Sequence, residues 1–155
     1  MLGYLKDLLQ ENKKSINSQN KPFENEKHIQ IATCALFLEI ANSDDEFTNE
    51  ERKKIYSIMK NTFDLSSESV LELIKLSEEQ VEKSVSLYEF TEIINKNFSE
   101  NMKYEVLKNL WRLIFVDKKI EAYEEYFIRK ISTNMHLPHK DLIAAKTEVK
   151  KELNI

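Results

Sequence analysis

The side chains best placed by type and spacing to do chemistry are acids. Asp44, Asp45, Glu46, Glu50 and Glu51 put five carboxylates within eight residues, and Asp117, Glu121, Glu124 and Glu125 put four within nine. Hard divalent cations such as Ca2+ and Mg2+ take carboxylate oxygens, and acids converging on one point repel one another unless a cation lies between them. Part of each cluster has a plainer reading. Thr48 followed three residues later by Glu51 is a capping-box pattern. Glu50, Glu51, Glu124 and Glu125 fall in the first turn of expected helices, where the macrodipole favours anions by about 0.3–1 kcal/mol each. Asp44 and Asp117 are different, because each follows the C-terminal end of an apolar helix, where the dipole disfavours negative charge. Asp is also a common turn residue, so a metal site and ordinary turn chemistry both stand on these residues alone. An EF-hand is excluded: counting from Asp44, the glycine position holds Asn49 and the bidentate glutamate position holds Ile55.

Other reactive residue types give less. His136 and His139 have a spacing that can put two imidazoles on one metal, but Pro138 lies between them and carboxylate partners are sparse, so they read as solvated loop and helix-start residues. His28 precedes a helix with no evident partner. Cys34 lies among Ile31, Ala35 and Leu38 as a small buried hydrophobe, with no activating base placed beside it. Trp111, Phe37 and Phe127 fall at core spacing. Paired carboxylates can also run hydrolysis, but no catalytic residue is assigned, and the leading expectation is a protein that is not an enzyme.

The elements that must hold these acids are helices. The chain has 155 residues, 41% of them hydrophobic and 32% charged, with one glycine, Gly3, and two prolines, Pro22 and Pro138. That shortage of turn residues excludes hairpin-rich β folds and glycine-lined phosphate loops. Leu2, Leu5, Leu8 and Leu9 predict a short amphipathic helix over residues 2–10, docked on the domain body or weakly associated with a membrane surface. A polar linker follows from Glu11 to Asn25. The run from Glu26 to Ser43 is apolar on nearly every side and predicts a central helix. Further helices are expected from Asn49 to Phe63, after an N-cap at Ser66 with Val70, Leu71, Leu73, Ile74 and Leu76, and around Leu87 to Ile94. The remainder are expected from Met102 to Ile114, from Ala122 to Ser132 with Phe127 facing inward, and after Pro138 with Leu142, Ile143, Ala145 and Val149. Ser77 with Gln80 has capping-box spacing. The expected domains are residues 1–25, helix and linker, and residues 26–155, the helical body.

Net charge is −4, so the basic footprint of a nucleic-acid binder is missing. One cysteine fits a reducing compartment. Lys6 and Asp7 interrupt the first helix before a signal-peptide stretch develops, and the ten uncharged positions from Ile29 to Leu38 are half of what a membrane span needs. A cytoplasmic protein without a transmembrane segment is expected.

Residues 40–58 superpose without a gap on residues 113–131 at an offset of 73, pairing Asp44 with Asp117, Phe47 with Ile120, Glu51 with Glu124, Ile55 with Ile128 and Ile58 with Ile131. Two occurrences at so long a period imply two related halves around one core. The fold expected is all-α: a compact bundle of about seven helices in two pseudo-repeated halves, plus the short N-terminal helix.

Several of these features resemble the TerB-like family associated with tellurite resistance, over about residues 28–143. They are the helix ending in Ile40-Ala41-Asn42-Ser43-Asp44, the Glu50-Glu51 pair, the Leu65-Ser66 turn, Trp111-Arg112-Leu113 at the start of a helix, and Asp117 with Glu124. The N-terminal helix and linker also look like bacterial members of this length. The resemblance implies an all-helical fold with two acidic motifs, divalent-metal binding through those acids, and a cytoplasmic stress-response setting. A related domain in a membrane-anchored co-chaperone implies a protein partner as well, although no His-Pro-Asp motif of a J-domain is present. The family motif runs Asp-Gly, whereas here Asp44 precedes Asp45 and Asp117 precedes Lys118, whose ammonium could take the space of a metal. The expected ligands are Asp44, Asp45 or Glu46, and Glu51, with Asp117 and Glu124 contributing, for a cation of the Ca2+ or Mg2+ class. The alternative is a metal-free interaction module whose acidic face binds a protein partner.

Overall fold

In a computed structural model, residues 22–42, 48–83, 87–117 and 122–155 are described, with backbone alone at 22–25, 117 and 122. They form α1 (Pro22–Ala41), α2 (Asn49–Phe63), α3 (Ser67–Glu82), α4 (Leu87–Asn97), α5 (Glu100–Ile114), a 3-10 turn (Phe115–Asp117), α6 (Ala122–Asn134) and α7 (His139–Glu152). No strand occurs among the described residues, as the glycine shortage requires. The expected helix at residues 2–10 lies outside them.

Local chemistry sets the boundaries. α1 begins at Pro22, four residues before the expected Glu26, because a proline at the first helical position loses no helical hydrogen bond and has its φ already set. Thr48 caps α2, Ser66 accepts from the Ser69 N–H to cap α3, and Ser99 accepts from the Met102 N–H to cap α5. Two expectations fail here. Ser77 does not cap a helix: it lies inside α3, fully buried, and its hydroxyl back-bonds to the Leu73 carbonyl at 2.8 Å, so α3 runs on through it. Trp111-Arg112-Leu113 closes α5 instead of opening a helix.

α1 is the centre, packed against α2, α3, α4, α5 and α6. From Ile29 to Ala41 it buries residues on every side, among them Cys34, Leu36, Phe37, Leu38 and Ile40. α7 packs mainly on α5, where the Trp111 indole N–H donates to the Leu142 carbonyl at 3.1 Å. The buried Lys103 ammonium donates to the Met135 carbonyl just past the end of α6. Leu71 and Ile143, expected on inner faces, are exposed, and Phe127 is only partly buried. No helix among the described residues is long and apolar enough to cross a membrane.

The internal echo extends to three dimensions. Ile55 and Ile128, Ile58 and Ile131, and Glu51 and Glu124 are buried as pairs. Beyond the last turn of α2 and α6 the offset becomes 72, as from Asp64 to His136, and both of those residues take the left-handed conformation, at φ 52° and 60°. Leu65 and Leu137 then donate back to the carbonyls of Lys60 and Ser132, both at 3.1 Å, which is the same Schellman closure made twice. Val70 matches Leu142 and Leu73 matches Ala145, all buried, so α1-α2-α3 and α5-α6-α7 are the repeated units with α4 between them.

Both closures lack glycine, which costs the His136 site most. His136→Gly is expected to stabilise by about 0.5–1 kcal/mol, raising the calorimetric midpoint by about 1–4 °C; a lowered midpoint would contradict the closure. Leu36→Ala, in the fully buried face of α1, is expected to lower stability by about 2–5 kcal/mol in urea titration.

Candidate metal centre

Asp44, Asp45 and Glu46 lie outside the described residues, as does the Asp117 side chain. Glu51 and Glu124 are described, and both are placed alike. Each is the third residue of its helix, α2 or α6, and each is buried, at 6% and 3% exposure. Their neighbours Glu50 and Glu125 are not: Glu50 is exposed, and Glu125 pairs with Arg129 one turn on at 3.6 Å.

The capping box accounts for part of Glu51. The Thr48 hydroxyl accepts from the Glu51 N–H at 3.1 Å, and Glu51 Oε1 accepts from the Thr48 N–H at 3.4 Å and the Thr48 hydroxyl at 3.1 Å. A capping glutamate can do this from the surface, so the box explains the residue type and not its depth. Depth comes from packing. α2 lies against α1, α5 and the 3-10 turn that ends in Asp117, while α6 lies against α1, α4, α5 and α7. Each buried glutamate therefore sits on a helix that packs on the first helix of the opposite half.

The two halves differ where α1 and α5 end. Glu39, in the last turn of α1, is half-buried, and burial alone holds its carboxyl above the ordinary glutamate value. It also sits at the negative end of the helix dipole. At the equivalent offset of 73 stands Arg112, whose guanidinium donates to both oxygens of Glu152, at 2.8 and 2.9 Å, and to Asn109 Oδ1 at 2.7 Å. That bidentate bond holds the Arg112 guanidinium above, and the Glu152 carboxyl below, their ordinary ranges. Among the described residues, the first half thus ends its inner helix on an acid in no ion pair, and the second on a satisfied base. The charge contrast between these positions had one signal in the sequence, an acid inside the apolar run from Ile29 to Ala41 with an arginine at its echo.

The donors are carboxylate oxygens throughout, which fits a hard cation. Among the described residues no group of three or more His, Cys, Asp or Glu side chains is arranged to hold a metal, so Glu51 and Glu124 would have to be joined by acids of the two connections. His136 and His139 are exposed, at the α6–α7 turn and the first position of α7. Cys34 is fully buried, and burial pushes its thiol up to about 12, which removes it as a nucleophile.

Searches of curated proteins and of solved structures return no match. A protein-family model does match: TerB, described as tellurite resistance protein TerB, over residues 30–147. That span runs from the first turns of α1 into α7 and takes in both acidic connections and both buried glutamates. With the family model covering well over half of the chain, this protein belongs to the TerB family.

Proposed function

We infer that this TerB-family domain binds a divalent cation of the Ca2+ or Mg2+ class through Asp44, Asp45 or Glu46, and Glu51, with Asp117 and Glu124 contributing. The cation-bound domain then acts as a cytoplasmic stress-response sensor or adaptor. The observation that carries this reading is the paired burial of Glu51 and Glu124 beside the two acidic connections. Each helix carries a carboxylate inward in its first turn, right after an acidic connection, where its oxygens can join those of the connection on a hard cation. Glu39 and Arg112 set the order of the two sites. The first connection follows a helix whose last turn carries Glu39 and no basic residue, and the second follows one that ends on the Arg112–Glu152 pair, with Lys118 next to Asp117. A cation therefore gains most at the first.

The metal-free reading, in which an acidic face binds a protein partner, is favoured by Tyr123 and Tyr126, two exposed aromatics flanking Glu124 and Glu125 on α6. Titration of Ca2+, Mg2+, Mn2+ and Zn2+ during thermal unfolding separates the two. At a hundred times its dissociation constant a bound ion stabilises by about 2.7 kcal/mol, a rise of about 5–11 °C. The rise is expected to disappear in the double variant Asp44→Asn with Glu51→Gln, in which glutamine keeps the capping box. No rise with any ion, or an equal rise in the variant, would contradict metal binding.

Glu39 adds a pH test. Its carboxyl titrates higher folded than unfolded, so stability falls as pH rises from the ordinary glutamate range through the raised value. Without added metal, Glu39→Gln is expected to stabilise at pH 7, by less than about 1 kcal/mol because the group is half in solvent, and to have no effect below the ordinary glutamate range. Adding the cation is expected to shrink the pH 7 gain, read as a difference in thermal midpoint.

A further inference from the structure

α2 and α3 enclose a groove of about 540 Å³ that the acidic site does not use. Its floor is apolar. Ile74 is buried, Tyr56 is partly buried, and Leu71 stands 61% exposed. A single exposed leucine is ordinary on any protein surface. What distinguishes this one is its rim, where Arg52, Lys53 and Lys75 face one acid, Glu78, already held by Arg52 at 2.9 Å. Lys53 and Lys75 are exposed and form no ion pair among the described residues. In a chain of net charge −4 the groove reverses the local sign.

We propose that this groove is a docking site for an acidic amphipathic helix of a partner protein. The helix sets its apolar side chains between Tyr56 and Leu71 and its carboxylates on Lys53 and Lys75. The rim selects the charge of the occupant, since a cationic or neutral segment leaves both lysines unmatched. The floor selects its shape, since a cleft between two helices takes side chains at i, i+3 or i+4 and i+7 from one face of a third. A flat anionic surface reaches the lysines and not the recessed Ile74.

The probe is a fluorescein-labelled peptide of about five helical turns, leucine along one face and glutamate elsewhere, followed by anisotropy. Saturable binding is expected, weakening as salt rises. It should fall by about tenfold or more in Leu71→Ser and in the double variant Lys53→Glu with Lys75→Glu, and return in Leu71→Met. These positions are exposed, so thermal midpoints should match the parent chain. Four results would overturn the proposal: no saturable binding to the parent chain, equal binding by the variants, equal binding of a lysine-for-glutamate peptide, or binding to phosphatidylserine vesicles in place of the peptide.

Discussion

Between Ile29 and Ala41 the first helix is buried on nearly every side, with Glu39 half-exposed, and the other elements are arranged by that fact. A helix apolar all round must be covered all round, and here five neighbours do it: α2, α3 and α4 from its own side of the chain, α5 and α6 from the repeat. The same demand fixes where the acids go. α2 leads back over α5 and its 3-10 turn, and Glu51 is carried inward with it.

The repeat makes that arrangement twice, with a difference that bears on function. Capping explains why a glutamate stands third in α2, and the match to Glu124 explains why one stands third in α6, but burial is a property of packing and not of caps. Where the halves depart from each other, at Glu39 and Arg112, the departure is one of charge. The Arg112–Glu152 clamp ties α5 to the end of α7 and leaves a neutral ion pair at that helix end. Among the described residues no such ion pair stands at Glu39, whose carboxyl is held above its ordinary range by burial. A symmetric scaffold thus carries an asymmetric field, and the electropositive groove between α2 and α3 adds a third region of distinct sign.

Much of this was legible before any coordinates. One glycine and two prolines forced helices, the run after Ile29 marked the central one, and the echo at an offset of 73 paired Glu51 with Glu124 correctly. The misreadings have physical causes. Ser77 has capping spacing, yet a serine hydroxyl can equally bond back to the carbonyl four residues earlier, and tertiary burial against α1 chose that option. Ile143 and Leu71 look like core by type, but one sits at the outer edge of α7 and the other opens a groove, which periodicity over a short helix does not separate. The change of offset to 72 hides the second turn from gapless comparison, although Asp64 and His136 make the same left-handed closure. Glu39 was passed over because a lone acid in an apolar run gives no motif.

On our proposal, this TerB-family domain takes its divalent cation at the first acidic connection, after the helix that carries Glu39 in its last turn. Equilibrium dialysis against Ca2+ and Mg2+ tests it most directly, with bound metal counted per chain in the parent protein, in Asp44→Asn and in Asp117→Asn. A bound ion that Asp44→Asn removes and Asp117→Asn largely retains is the expected result. No bound ion in the parent chain, or retention in Asp44→Asn with loss in Asp117→Asn, would contradict it.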